Sequence, residues 1–152
     1  MEFRAKYFEE LSLSQLYEIL KSRMEVFMLE QRIFCLDMDN VDYRSRHCFL
    51  EENGRVVGYL RAFYQEDDPT VIHLGRVLTL HHGKGCGRVL MELALADISV
   101  AMPCKIIRLD SQKHAVGFYE KFGFRTVSGE FLEEGIPHVV MELGISERIC
   151  SN

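Results

Sequence analysis

Gly83-Lys84-Gly85-Cys86-Gly87-Arg88, separated by two residues from the apolar run Val71–Leu80, holds the most chemically telling spacing in the chain. Glycines at alternate positions leave successive backbone N–H groups with little side-chain cover. Residues 88–98 have the apolar spacing of a helix, and a helix starting here points its free amides and the positive end of its dipole at an anion. A strand, a glycine turn and a helix in that order make a phosphate site. A Walker A run, G-x-x-x-x-G-K-[S/T], is absent, and G-x-G-x-x-G is unmatched because Gly87 falls one position early. What remains is His82-x-x-Gly85-x-Gly87.

A second stretch lies one helix and one strand further on: Gln112-x-x-Ala115-x-x-Phe118-Tyr119-x-x-x-Gly123-Phe124. A phenol such as Tyr119 can protonate a leaving group, whereas Phe118, Phe122 and Phe124 read as packing, as Tyr119 itself could. Taken in order, the two stretches resemble the patterns R/Q-x-x-G-x-G/A and N-x-x-A-x-x-F-Y-x-x-x-G-F of the GNAT N-acetyltransferases. Two departures are visible, His82 for Arg or Gln and Gln112 for Asn. Val26-Phe27-Met28-Leu29-Glu30-Gln31, Gly75-Arg76-Val77 and Glu134-Gly135-Ile136-Pro137-His138 are similar to the ElaA-like subfamily, so the resemblance covers nearly the whole chain.

That resemblance implies one N-acetyltransferase domain over residues 1–152, with acetyl-CoA as co-substrate between two strands that splay apart, Val71–Leu80 and Cys104–Leu109. It implies a pantetheine arm on the backbone of Val77, Leu78 and Thr79. The pyrophosphate would lie on Gly83, Lys84, Gly85, Cys86, Gly87 and Arg88, with Lys84 or Arg88 adding a charge-assisted contact. His82 and Gln112, at the heads of the two motifs, count among the cofactor residues, as does Tyr119. The reaction implied is direct attack of a primary amine on the acetyl group in a ternary complex, with Tyr119 as general acid toward the CoA thiolate and no acyl-cysteine. A non-catalytic acetyl-CoA-binding module, or a structural domain with an empty glycine loop, shares the same hydrophobic pattern and stays open.

An alkylamine with a pKa near 10 is only about one part in a thousand neutral at pH 7, so a base is needed. His138 and Glu30 are the main candidates, followed by His73 or a chain of waters. Each has a plain structural reading: a turn residue after Pro137, a solvated helix end and a satisfied core histidine. Arg76 sits in an apolar strand and requires a partner, since a buried unpaired guanidinium is costly; it reads as a contact to substrate or the acidic loop, or as a structural ion pair. Asp37, Asp39 and Asp42 read as a solvated acidic loop. They are not a calcium loop, because Val41 and Asp42 occupy positions that need a ligand and a glycine. Their charge favours a small cationic acceptor slightly over a peptide amine.

The elements that must position these residues are legible in outline. Residues 2–8 alternate as an edge strand. Ser12 and Gln15 have capping-box spacing, and Leu13, Leu16, Leu20, Met24, Phe27 and Met28 share one face of a helix ending near Gln31. Residues 33–46 read as a loop. His47–Glu52 and Arg55–Gln65 flank Asn53-Gly54, a strong hairpin signal. Strand Val71–Leu80 precedes a helix over 86–101, a strand over Cys104–Leu109 and a helix over Lys113–Phe122 stopped by Gly123. Strands over Phe124–Val127 and His138–Leu143 enclose a loop at Glu130–Pro137. The order predicts an α+β fold, a mixed central sheet with helices on both faces and one βαβ unit, as in the GNAT acyl-CoA N-acyltransferases.

A chain of 152 residues with 47% hydrophobic content supports one sizeable core. The net charge of −5 argues against nucleic acid or an acidic membrane as partner and leaves room for a cationic one. Five cysteines without a C-x-x-C pair point to a reduced, cytoplasmic setting. No run approaches a membrane span, no signal peptide is visible and no metal-ligand spacing such as H-E-x-x-H occurs. The terminal strands leave a homodimer open.

Overall fold

Ser12 and Gln15 close their capping box in both directions. Gln15 N–H donates to Ser12 Oγ at 3.0 Å, and Ser12 N–H donates to Gln15 Oε1 at 3.1 Å. They start α1, Leu13–Arg23. The computed structural model describes residues 1–145, which fall into two units. One comprises Met1–Phe63 and Arg76–Asp97, the other Tyr64–Gly75 and the chain from Ile98 onward.

In the first unit β1 (Glu2–Tyr7) pairs antiparallel with β2 (Arg46–Glu52), and β2 with β3 (Arg55–Gln65). Asn53 and Gly54 make the predicted turn with φ of +52° and +77°. The unit's core gathers Ile19, Val26, Phe49, Val56, Tyr59 and Leu78, the last from β4 (Asp68–Thr79). The first helix does not continue as α to Gln31. Met24–Glu30 widens into a π-helix, and Gln31 N–H reaches back to Val26 O at 2.9 Å. Such widened turns recur at functional sites. The helix over 86–101 is α2, Cys86–Ala101, with the predicted bounds.

Residues 33–46 are not a solvated acidic loop. Arg23, whose side chain has 0% exposure, donates to Asp37 Oδ2 at 2.8 Å and to Asp42 Oδ1 at 2.7 Å. Arg61 holds Asp39 at 2.6 and 2.8 Å and Asp42 at 3.0 Å. Arg76 takes Asp37 Oδ1 at 2.7 Å, so its partner is a structural carboxylate. Burial works against the charge on Arg23, but Tyr59, Asp42 and Asp37 outweigh it and raise its pKa. The hydrogen bond from Arg61 leads the effects that push the Asp39 carboxyl well below its usual range. Burial opposes ionisation of Asp42, yet Arg23 and Arg61 prevail and lower its pKa too. Next to this network His47 Nε2 lies 2.9 Å from Asp42 O and Nδ1 2.7 Å from Tyr59 Oη. A carbonyl only accepts, so Nε2 carries the proton and the Tyr59 hydroxyl donates to Nδ1.

Asp42→Asn leaves three guanidiniums facing two carboxylates. We expect a loss of about 2 kcal/mol, the scale of a charged hydrogen bond, or roughly 4–8 °C in Tm for a chain of this size. Because the Asp39 and Asp42 carboxyls are depressed in the folded state, their stabilisation is fully present above the unfolded value of about 3.9 and is lost as pH falls below it. Acid titration followed by circular dichroism should therefore show Asp42→Asn unfolding at higher pH than wild type.

In the second unit the order is β4-β5-β8-β6, with β7 on β8. Val71–Leu74 of β4 run parallel to Ile106–Leu109 of β5 (Ile106–Gln112), and α2 is the crossover that this parallel pair requires. The strand predicted at Cys104–Leu109 is shifted, because Ser111 continues the buried face of Ile107 and Leu109. Lys113–Ala115 form a 3₁₀ turn before α3 (Val116–Glu120). β6 (Arg125–Thr126) and β8 (Ile136–Gly144) close the unit. The predicted loop at Glu130–Pro137 is instead a hairpin of β7 (Phe131–Glu133) and β8. Glu134 and Gly135 turn it with φ of +49° and +74°. Cys150 lies outside the described residues.

Candidate functional site

Gly83 and Gly85 both take left-handed φ, +75° and +77°, and a Cβ built on either meets nothing within 4 Å. The loop therefore opens onto free space at both glycines. Gly85 stands at the head of α2, its carbonyl accepting Val89 N–H at 3.2 Å. The first turn of α2 has no acidic residue and carries Arg88. A helix dipole prefers negative charge there, so this end favours an external anion. Arg88 is engaged one turn on by Glu92, at 2.9 Å, and stays largely exposed. Lys84 is exposed, whereas Cys86 is buried with Sγ 3.9 Å from Met1 Sδ, as a small filler would be.

The first unit also brings together two residues that the sequence treats separately. His82 Nε2 lies 2.7 Å from Glu30 Oε1, so the end of the π-helix is tied to the head of the glycine loop. Both side chains are more than half exposed. Preceding the loop, β4 bends at Arg76, whose φ of +53° is rare for a non-glycine residue and costs on the order of 1–3 kcal/mol. The Asp37 carboxylate and carbonyl hold Arg76 in that state, at 2.7 and 3.1 Å. After the bend Leu78 enters the core while Val77 and Thr79 are half-buried. Leu80 N–H then bonds to Val57 O.

The second unit holds Gln112, Tyr119 and His138. Gln112 and His138 face each other across β5 and β8. Nδ1 of His138 lies 2.7 Å from Ile136 O, so it carries a proton, and Nε2 lies 3.4 Å from Glu133 Oε2. Sequence reasoning missed Glu133, since only the unforeseen hairpin brings it to His138. Phe131 stacks on the imidazole at 6.0 Å between ring centroids. Tyr119 is buried in α3 with its ring edge-on to Phe118 and Phe124. Burial pushes its phenol up to about 12, so the hydroxyl keeps its proton at neutral pH. His73 lies in β4 opposite Arg108, and burial foremost lowers its pKa. Among the described residues no group of three His, Cys, Asp or Glu is placed to hold a metal ion, and no helix is long and apolar enough to cross a membrane.

The family model described as Acetyltransferase (GNAT) domain matches residues 9–145, and the chain belongs to that family. Protein ElaA of Escherichia coli K12 is 34% identical over 145 residues, 93% of this chain and 95% of ElaA. The crystal structure of E. coli ElaA matches with a TM-score of 0.86 over 93% of this chain and 97% of that one. An acyl-CoA N-acyltransferase from Pseudomonas aeruginosa matches with a TM-score of 0.85 at 30% identity, over 93% and 99%. UPF0039 protein C11D3.02c of Schizosaccharomyces pombe is 35% identical over 147 residues, 94% and 97% of the two chains. The fold is the GNAT acyl-CoA N-acyltransferase fold.

Proposed function

We propose that this chain is one cytoplasmic N-acetyltransferase domain that moves the acetyl group of acetyl-CoA to a primary amine. The observation that carries the reading is the glycine loop, with open space over Gly83 and Gly85 at the head of a helix whose first turn has no acid. Residues 83–88 would take the pyrophosphate, helped by Lys84 or Arg88, and His82, tied to Glu30, would border it. Val77, Leu78 and Thr79, past the bend at Arg76, would offer backbone groups to the pantetheine arm, and Gln112 would complete the contacts. Among the described residues Cys35, Cys48, Cys86 and Cys104 are free thiols.

When bound, acetyl-CoA supplies a thioester carbonyl. The C–N bond to the amine forms as the C–S bond breaks, and the Tyr119 hydroxyl gives its proton to the departing sulfur. The amine's proton goes to a base. His138 is one candidate, with Glu133 near enough to Nε2 to steady the imidazolium that would form. Glu30 is the other candidate, though its carboxylate is already engaged by His82.

Thermal unfolding with and without acetyl-CoA, with NAD and ATP as controls, tests the reading. At one hundred times Kd a specific ligand adds about 2.7 kcal/mol, a rise of roughly 5–10 °C in Tm here. A rise with acetyl-CoA alone is expected. No rise with any of the three would leave the loop as scaffolding. Binding without turnover of any amine would make the chain a cofactor-binding module.

A further inference from the structure

We propose that Asp37 is a positioning residue: gripped by Arg23, it holds the left-handed bend at Arg76 and so sets where Val77–Thr79 present their backbone to acetyl-CoA. This rests on the cofactor reading above and deepens it.

The grip is the same on both sides of Asp37. Arg23 donates to its carboxylate from Nε at 2.8 Å and to its carbonyl from Nη2 at 3.1 Å. Arg76 does likewise, from Nε at 2.7 Å and from Nη2 at 3.1 Å, and also approaches Asp39 Oδ2 at 3.5 Å. The two guanidiniums take different carboxylate oxygens, Oδ2 and Oδ1, so neither displaces the other. Arg23 is itself fixed, its side chain wholly buried and its Nη1 on Asp42 at 2.7 Å. The segment that carries Asp37 is pinned at both ends, by Ile33 N–H on Phe27 O at 2.8 Å and by Arg61 on Asp39. Charge-assisted bonds made at two points fix a geometry as well as adding energy.

What the grip holds is a costly backbone state. Arg76 takes φ of +53°, and Gly75 beside it, the residue better suited to that state, does not. The parallel register of β4 on β5 runs over Val71–Leu74, and the bend comes two residues later. Past the bend Leu78 is buried and Leu80 N–H meets Val57 O at 2.8 Å, so the bend decides the course of the stretch assigned to the pantetheine arm. An arginine is tolerated at this φ because its side chain is bonded where the bend places it. Without those bonds the extended state gains population, and apparent affinity falls with the fraction of molecules still bent.

The test measures the Kd of acetyl-CoA by titration calorimetry and the Tm of the ligand-free protein, on the full chain. Asp37→Ala should raise Kd about tenfold, the population equivalent of the left-handed penalty for a residue with a Cβ. Adding Arg76→Gly to Asp37→Ala should bring Kd back to within about threefold of wild type, since glycine bends without a grip. Tm should stay low in that double variant, because Arg23 still lacks one of its two carboxylates. Arg76→Val and Arg76→Gly as single variants lose the same ion pair and differ in backbone preference, so Kd should be about tenfold higher in the valine variant. Equal Kd in those two overturns the proposal, whether or not Asp37→Ala folds. So does a Kd that stays raised in the double variant, which would make Asp37 or Arg76 a direct contact or a purely structural pair. Absence of acetyl-CoA binding in wild type overturns the cofactor reading itself, and this one with it.

Discussion

Gly85→Glu abolishes acetyl-CoA binding and leaves the protein folded: that is the expected outcome of a thermal-shift titration and a circular dichroism spectrum. A Cβ at Gly85 meets no protein atom within 4 Å, so the side chain enters the open space assigned to the pyrophosphate. It brings a carboxylate to the spot where the loop amides and the helix dipole would otherwise hold an anion. Steric exclusion and like charge act in the same direction. The left-handed φ of +77° is the cost to the fold, on the order of 1–2 kcal/mol for a residue with a Cβ. That is a fall of a few degrees in Tm. Gly85→Ala carries the same backbone penalty without the carboxylate, so it separates strain from occlusion. Retained affinity in Gly85→Glu would remove the phosphate role from this loop.

The glycine loop, the long helix behind it and the Asn53-Gly54 hairpin were legible because each is specified locally. Alternate glycines, a 3.6-residue apolar period and a pair of turn residues say the same thing wherever they occur. The arginine network was not legible. Its bonds join positions 14 to 39 residues apart, Arg23 to Asp37 and Asp42, Arg61 to Asp39 and Asp42, and Arg76 to Asp37. No period or motif says which carboxylate meets which guanidinium. Arg76 alone gave a hint, an arginine in an apolar strand whose partner could be substrate, the acidic loop or a structural ion pair; the partner is Asp37 of that loop, as an ion pair.

The hairpin at 131–144 was missed for a different reason. The segment Glu130–Pro137 read as a plain loop between two strands, whereas Glu134-Gly135 plays the part that Asn53-Gly54 plays earlier, with both residues at positive φ. Pro137 pairs with Leu132 on the short β7 near the start of β8, where a missing donor is tolerated. The π-helix at Met24–Glu30 left no mark in the apolar spacing, since Val26 reaches the core in either helix type. That widening matters for the site: it ends at Glu30, whose carboxylate holds His82. The pairing answers part of what the departure from Arg or Gln at position 82 left open. His82 is not a stray substitution but one half of a bond between the first helix and the glycine loop.

Tyr119→Phe should lower turnover by roughly 10²–10⁴, the range for removal of a general acid or base, with affinity for acetyl-CoA and Tm nearly unchanged. The ring is buried edge-on to Phe118 and Phe124, and phenylalanine keeps every one of those contacts. Packing therefore predicts almost no effect, and catalysis predicts a large one. The shifted phenol sharpens the contrast. With its pKa pushed up to about 12 by burial, Tyr119 stays protonated at every pH where the enzyme would be assayed, so it can give a proton to the thiolate but cannot serve as the base. The alkaline limb of the rate profile should then belong to other groups and keep its position in the variant while the whole curve drops. Single-turnover measurement is the right readout, because slow product release would mask a loss in the chemical step. An unchanged single-turnover rate would return Tyr119 to the aromatic cluster that surrounds it, and the thiolate's proton would have to come from solvent.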